Sequence, residues 1–347
     1  MLANSTGSAV KGSDIPFVSQ LRTPLLWTAG IVIVFTVVFG DLPGEGKYSG
    51  VLQDSCHAPA FAALSLITLT LLARLRRRRN TEPAAQTNSS GRVLLVQGAL
   101  TVVAMCLLGC ATELLQGLIG RDAELDDVMS DVAGSLGATG VWSYLQLRSA
   151  GRAARDGRIL AVLLCVGVFA YWVAPLLKCA GAYWHRNAQF PVLAEFQAPR
   201  DLYFLDRGGL DTRLVAGAPD ARPGAPTEAL QVTLDAGRWP GIALLEPVPD
   251  WHGYSALALA LDNPGAAALT LHLRVNDHQH DGTFDDRFNT SLVLPPHAQM
   301  IYKFPLHQIE GAPRARRMDL RRIATLILFH DGGAPGQVFL VRRVWLE

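Results

Sequence analysis

The chain has 347 residues, half of them hydrophobic, with 18% charged residues and a formal net charge of +1. That balance argues against a broadly basic nucleic-acid-binding protein, and the arginines that do cluster have another explanation given below. The averages conceal two halves of different character: long apolar blocks first, short alternating runs afterwards.

Five apolar stretches fill the first half: Pro24 to Gly40, Ser55 to Ala73, Val93 to Thr112, Val128 to Leu147 and Ile159 to Leu177. Each is close to the roughly 20 residues that cross a bilayer as a helix, so five transmembrane helices are expected. The first is preceded by 23 residues and followed by Gly40-Asp41-Leu42-Pro43, without a small-residue cleavage pattern, so it reads as an anchor rather than a signal peptide.

Arg74, Arg76, Arg77, Arg78 and Arg79 follow the second stretch, and Arg148, Arg152, Arg155 and Arg158 follow the fourth. Cationic flanks face the cytoplasm, which places the N-terminus inside and the region beyond Lys178 outside a cytoplasmic (inner) membrane. The same arginines need only anionic lipid as their partner, and nucleic acid is set aside. Cys56, Cys106, Cys110, Cys165 and Cys179 all lie in or beside the apolar stretches. A Cys56–Cys179 bridge is conceivable, but apolar free thiols are the preferred reading.

Ionisable residues at membrane depth are expensive and usually mark a site. His57 opens the second stretch, Glu113 and Gln116 close the third on one helix face, Arg121 follows, and Asp127 and Asp131 open the fourth at i, i+4. All belong at the outer boundary, where they are expected to converge. Small residues four apart, Ala133/Gly137 and Gly134/Ala138, would let that fourth helix approach its neighbours closely.

The stretch TELLQGLIGRDAELDDVMSDVAGSLG resembles the VanZ-like membrane family, in which Thr-Glu-x-x-Gln is followed by Arg, then by Asp, a polar residue four further on, and glycines. Thr112, Glu113, Gln116, Arg121, Asp127 and Gly134 fit, and Asp54 and His57 resemble an Asp-Lys-x-x-His signature on an earlier helix, one residue closer together than that signature has them. Ser55 stands in place of that Lys and Asp131 in place of an Asn, so this chain has less positive and more negative charge than the pattern. The resemblance spans about Pro24 to Leu147 and implies a membrane protein of the cell envelope. The family's name comes from reduced susceptibility to a lipidated glycopeptide antibiotic.

Past Tyr183 the pattern becomes β-rich. In LTLHLRVND, Leu269, Leu271, Leu273 and Val275 alternate with Thr270, His272, Arg274 and Asn276, one face for a core and one for solvent. LQVTLD, ALALALD, SLVL, MIYKF, IATLILF and QVFLVRRVWLE are further strands, and Asp262 to Gly265 (DNPG) is a tight turn. The expected fold class is thus an α-helical membrane bundle followed by an all-β sandwich or jelly roll. The expected divisions are a cytoplasmic segment 1–23, a bundle 24–150, a fifth helix and linker 151–189, and an extracytoplasmic sandwich 190–347.

The segment LHLRVNDHQHDGTFDDRFN, with IYKFPLHQIEGAPRARRMDLRRIATLILFHDG and VFLVRRVWLE, resembles galactose-binding-like sandwiches found among carbohydrate-binding modules. That resemblance implies an aromatic platform with a few fixed polar groups. Trp239, Trp251 and Tyr254 are the aromatic candidates, and Arg274, Asp277, His280, Asp286, Arg287 and Asn289 the polar ones. The same loop, with His278, Asp281 and Asp285, has the oxygen and imidazole donors for Ca²⁺ but no EF-hand spacing, and solvated or cross-strand bonding roles for its acids are the plainer reading.

No nucleophile elbow, P-loop, zincin helix or kinase signature is present, which favours a binding protein over an enzyme. The leading expectation is a membrane-anchored sandwich that binds cell-wall glycan or a lipid-linked precursor. The alternatives are a membrane enzyme using His57, Glu113, Arg121 and Asp127 on a lipid-linked phosphate or ester, and an envelope scaffold in which the same residues only tie helices together.

Overall fold

A computed structural model describes residues 23–40, 44, 46–79, 90–120, 124–148, 155–216 and 227–347. Two compact units emerge, Met1–Cys179 and Ala180–Glu347. The second begins ten residues before the expected 190 because Ala182, Tyr183 and Phe190 pack against the sandwich core.

Six helices lie ahead of the first strand among the described residues: α1 (Thr23–Phe39), α2 (Lys47–Ser55), α3 (His57–Arg79), α4 (Ser90–Leu118), α5 (Leu125–Leu147) and α6 (Arg155–Gln189). Among the described residues three helical stretches are long and apolar enough to cross a membrane: Lys47–Arg76, Arg92–Leu118 and Arg155–Gln189. Of the other two expected spans, α1 is a shorter apolar helix, and α5 carries Asp126, Asp127 and Asp131 in its first two turns. Exposed Ile31, Phe35, Leu107, Leu163, Val166 and Phe169 give the bundle an apolar outer surface that water would not tolerate over such an area. All five cysteines are free.

The helix α5 is the packing centre of the first unit. Its Asp131, Gly134, Ser135, Ala138, Gly140 and Trp142 are buried. A Cβ placed on Gly134 would lie 2.0 Å from the Ala58 carbonyl oxygen, so glycine is what lets α5 meet α3 backbone to backbone. Ser65 and Ser135 hydrogen-bond across the same contact at 2.9 Å.

Among its described residues the second unit has eleven antiparallel strands in two sheets. One sheet runs β3 (Asp211–Ala216), β4 (Glu228–Thr233), β11 (Val338–Leu346), β6 (Ala256–Asp262), β9 (Gln299–Pro305), with β1 (Val192–Glu195) also paired to β11. The other runs β2 (Leu205–Asp206), β5 (Gly241–Leu245), β10 (Ile323–Phe329), β7 (Leu269–Asp277), β8 (Phe288–Leu294). A short helix α7 (Leu306–Glu310) follows β9. Period-two patterning sends Leu271, Leu273, Val275, Leu326, Leu328, Ile242 and Leu244 inward against Leu257, Leu259, Leu261, Phe339 and Val341, where they form one core. The DNPG turn is held by Asn263, whose Oδ1 accepts the Gly265 N–H at 2.9 Å while its Nδ2 donates to Ala267 and Leu294 carbonyls.

Candidate functional site

The outward face of the five-stranded sheet forms a cleft of about 850 Å³. Strand register assembles its floor in two rows. In one, Asp206 pairs with Ala243, Ala243 with Ile327, Ile327 with Arg274, and Arg274 with Asn289. In the next, Gly241 pairs with Phe329, Phe329 with His272, and His272 with Ser291. Gly241 is required there: a Cβ would sit 2.5 Å from both the Leu328 carbonyl oxygen and the Phe329 Cβ.

Two exposed rings stand over this floor. Trp239, 58% exposed, comes from the β4–β5 loop and meets Phe329 edge-on at 5.9 Å. Phe284, 67% exposed, comes from the β7–β8 loop, with the Arg287 guanidinium 5.2 Å from its ring centre. Large exposed aromatic faces beside a floor of mixed apolar and polar side chains are suited to stacking on pyranose rings, whose axial C–H groups are apolar and whose hydroxyls need fixed partners.

The polar groups are pre-positioned. Asn289 accepts from Arg287 Nε at 3.0 Å and donates to the Phe284 carbonyl at 3.1 Å, so one side chain orients both rim residues. Arg274 Nη2 donates to His280 Nε2 at 2.9 Å, and His280 Nδ1 lies 2.9 Å from the Asp286 carbonyl, which assigns the ring proton to Nδ1. Burial, reinforced by the neighbouring Arg287, lowers the Arg274 pKa below its ordinary value. Neither arginine is ion-paired to a carboxylate among the described residues, and Arg274 Nε is buried without a partner.

The remaining sequence candidates fall elsewhere. Trp251 is 0% exposed, in the sandwich core, with its indole N–H donated to the Val248 carbonyl at 2.8 Å. It has no free ring face, which corrects its assignment to a stacking platform. Tyr254 packs on the core, edge-on to Phe190 at 5.2 Å, away from the cleft. Asp277 and Asp286 both grip Arg316, and His280 braces Arg274 from behind. His280, Asp281 and Asp286 are close enough to share a cation, but Arg316 Nε and Nη2 already take both Asp286 oxygens at 2.7 and 2.9 Å, so this donor set fits Ca²⁺ poorly. Phe284, His272, Phe329 and Ser291 were not singled out from the sequence. The solvent-side alternation of LTLHLRVND carried the signal for His272.

In the helical unit His57, Glu113, Asp127 and Asp131 come together. His57 Nδ1 is 3.0 Å from Asp131 Oδ1 and its Nε2 is 3.5 Å from Asp127 Oδ2. Glu113 Oε2 accepts the Glu124 backbone N–H at 2.8 Å. Gln116 is buried beside this group and donates to the Val37 carbonyl at 3.1 Å, tying α4 to α1. Asp54 is exposed one turn before His57. Arg121 lies outside the described residues.

No protein-family model matches the chain, and no curated protein matches it. Among solved structures the sandwich resembles carbohydrate-binding modules. A family 11 module from Clostridium thermocellum, in complex with a β-1,3-1,4-mixed-linked tetrasaccharide, is similar over 45% of this chain and 93% of that one, at 14% identity and a TM-score of 0.35. The CBM22-1 xylan-binding domain of Paenibacillus barcinonensis Xyn10C is similar over 45% and 94%, at 15% identity and a TM-score of 0.30. An exo-β-agarase is similar over 45% of this chain and 24% of its own, at 14% identity and a TM-score of 0.38.

Proposed function

We propose that this chain is a membrane-anchored glycan-binding protein whose β-sandwich engages an acidic glycan of the cell envelope, either free or as part of a lipid-linked precursor. The observation that carries the reading is the cleft itself: two exposed rings, Trp239 and Phe284, above a floor that is part apolar and carries the hydrogen-bonded side chains Arg274 and Asn289. Two guanidiniums, Arg274 and Arg287, line its β7–β8 end without carboxylate partners among the described residues, and burial holds both below the ordinary arginine pKa. An anionic group on the ligand would relieve that unfavourable pairing, which favours uronic, sulfated or phosphorylated sugars over neutral ones.

The helical unit anchors this sandwich. Five crossings, a cytoplasmic N-terminus, an extracytoplasmic sandwich and a VanZ-like bundle belong to the same proposal, supported by the arginine flanks and by the Thr112 to Gly134 pattern.

The test is a glycan array with the full-length chain in detergent or nanodiscs. Acidic glycans are expected to bind, more weakly after Trp239→Ala and more weakly at high salt. Absence of any glycan binding by a folded chain, or identical binding by Trp239→Ala and wild type, would overturn the reading.

A further inference from the structure

We infer that His57, Glu113 and Asp127 form a divalent transition-metal site at one end of the helical unit, with Asp131 as the group that orients the histidine. One donor atom from each of the three side chains lies within 4.8 Å of the other two. Metal–ligand bonds of about 2.0–2.2 Å place ligand atoms roughly 3.4 Å apart, so binding needs only a small inward adjustment.

Carboxylates flank both nitrogens of His57. Asp131 is 0% exposed, and its Oδ1 takes the Nδ1–H of His57. His57 Nε2 faces Asp127 Oδ2, 3.5 Å away. A metal ion bound at Nε2 and Asp127 fits this orientation, since a carboxylate on the far nitrogen of a ligating histidine is the usual outer-shell partner.

The unused oxygens supply a second observation. Glu113 is 5% exposed, yet its Oε1 has no hydrogen-bond partner, and Asp131 Oδ2 is equally unpartnered. A buried carboxylate oxygen without a partner is costly unless something positive occupies its environment. Among the described residues His57 is the only ion-pair partner of Asp127 and Asp131, and Glu113 belongs to the same cluster. One nitrogen and two carboxylate oxygens suit Zn²⁺ or Mn²⁺ and leave coordination positions for water. Coordination at this end of the bundle draws α3, α4 and α5 together at their shared boundary.

The experiment uses the full-length chain in detergent, in a Cys56→Ser background so that the adjacent exposed thiol does not contribute, stripped with chelator and titrated with Zn²⁺ and Mn²⁺. One ion per chain is expected. Glu113→Gln and Asp127→Asn, each nearly isosteric, are expected to weaken binding at least tenfold. Asp131→Asn is expected to weaken it by about ten- to a hundredfold with stoichiometry unchanged. Cu²⁺ bound to the unsubstituted site should show coupling to a single imidazole nitrogen in its paramagnetic resonance spectrum, which tests His57 without altering it. Lack of stoichiometric metal in the folded chain, undiminished affinity in both carboxamide variants, or a copper spectrum without nitrogen coupling would each overturn the assignment.

Discussion

Arg316 meets both carboxylate oxygens of Asp277, Nη1 to Oδ2 at 2.6 Å and Nη2 to Oδ1 at 2.7 Å. The same guanidinium uses Nε and Nη2 on Asp286. Three charges are thereby locked where β7 ends and the loop carrying Phe284 and Arg287 begins. Arg316→Ala should strand Asp277, whose side chain is 0% exposed. Breaking a buried pair by removing one partner typically costs about 3–5 kcal/mol. The expected result is a large drop in the denaturant midpoint of the sandwich together with loss of glycan binding, since the rim loop loses its anchor. Chemical denaturation followed by near-UV circular dichroism measures the first effect.

The same cluster fixes a pH dependence. Burial alone would raise the Asp277 pKa, but Arg316 and the Asp319 and Gln279 N–H groups outweigh it and hold the carboxyl below its ordinary value. Arg316 likewise lowers Asp286. A folded-state pKa below the unfolded value of about 3.9 contributes stability that is fully present above that pH and disappears as pH falls through the folded value. Wild-type stability should therefore stay level from neutrality to about pH 5 and decline steeply below pH 4. In Arg316→Ala the burial effect on Asp277 is no longer opposed by the guanidinium, so acid removes a penalty and the gap to wild type narrows. Midpoints measured across pH 3–7 for both chains test the sign, and a gap that widens in acid contradicts it.

Much of this was legible because β-patterning is local. The alternation of LTLHLRVND gave both the inward leucines and the outward His272 and Arg274, and IATLILF coincides with β10. The strand GIALL was not, because a short apolar run without alternation carries no periodic signal. Trp239 and Trp251 sit in similar surroundings of proline, glycine and acidic residues, and nothing local says that one ring lies over the sheet and the other inside it. Arg316 was hidden in the charged run RARRMDLRR, which reads as solvated surface until the fold brings it to Asp277. The i, i+4 spacing put Asp127 and Asp131 on one helix face, and the expected topology put His57 at the same boundary. The unpartnered oxygens of Glu113 and Asp131 depend on tertiary packing and have no sequence signature.

The two tryptophans offer a separation of binding from stability. Trp239→Ala removes a ring that is 58% exposed, so folding should change by less than about 0.5 kcal/mol while glycan affinity falls about tenfold or more. Trp251→Ala empties a fully buried position and should cost about 3–5 kcal/mol. Paired glycan titration and denaturation on both variants would show two opposite patterns. Equal loss of binding by two stably folded variants would place the ligand away from the cleft.

Arg287→Gln isolates the charge preference. Arg287 is half-buried at the rim and its Nε is held by Asn289 at 3.0 Å, a bond that the glutamine amide can in part replace. Loss of one charge should weaken acidic glycans several-fold, and reduce the salt dependence of their binding, while leaving neutral glycans of the same backbone nearly unchanged. Titration of a matched acidic and neutral pair at two ionic strengths measures this, and an equal effect on both ligands contradicts an anion-binding role.

In the helical unit, Gly134 decides whether α5 reaches α3. A methyl group there would lie 2.0 Å from the Ala58 oxygen and 2.9 Å from its Cα, and because these are backbone atoms no side-chain rotation relieves the clash. Gly134→Ala must therefore push the helices apart by an ångström or more, roughly the displacement that overpacking costs of about 1–3 kcal/mol accompany. His57 directly precedes Ala58, and Asp131 lies one turn before Gly134, so the 3.0 Å bond between them stretches with the same movement. The variant should lower the thermal stability of the detergent-solubilised chain and weaken metal binding, although residue 134 bears no ligand. Gly137 supplies the control. A Cβ there meets only the Val168 side chain at 3.1 Å, a contact relieved by a shift of a few tenths of an ångström, so Gly137→Ala should perturb both readouts far less than Gly134→Ala. Identical behaviour of the two variants would mean that the close approach of α5 to α3 does not set the geometry of the polar cluster.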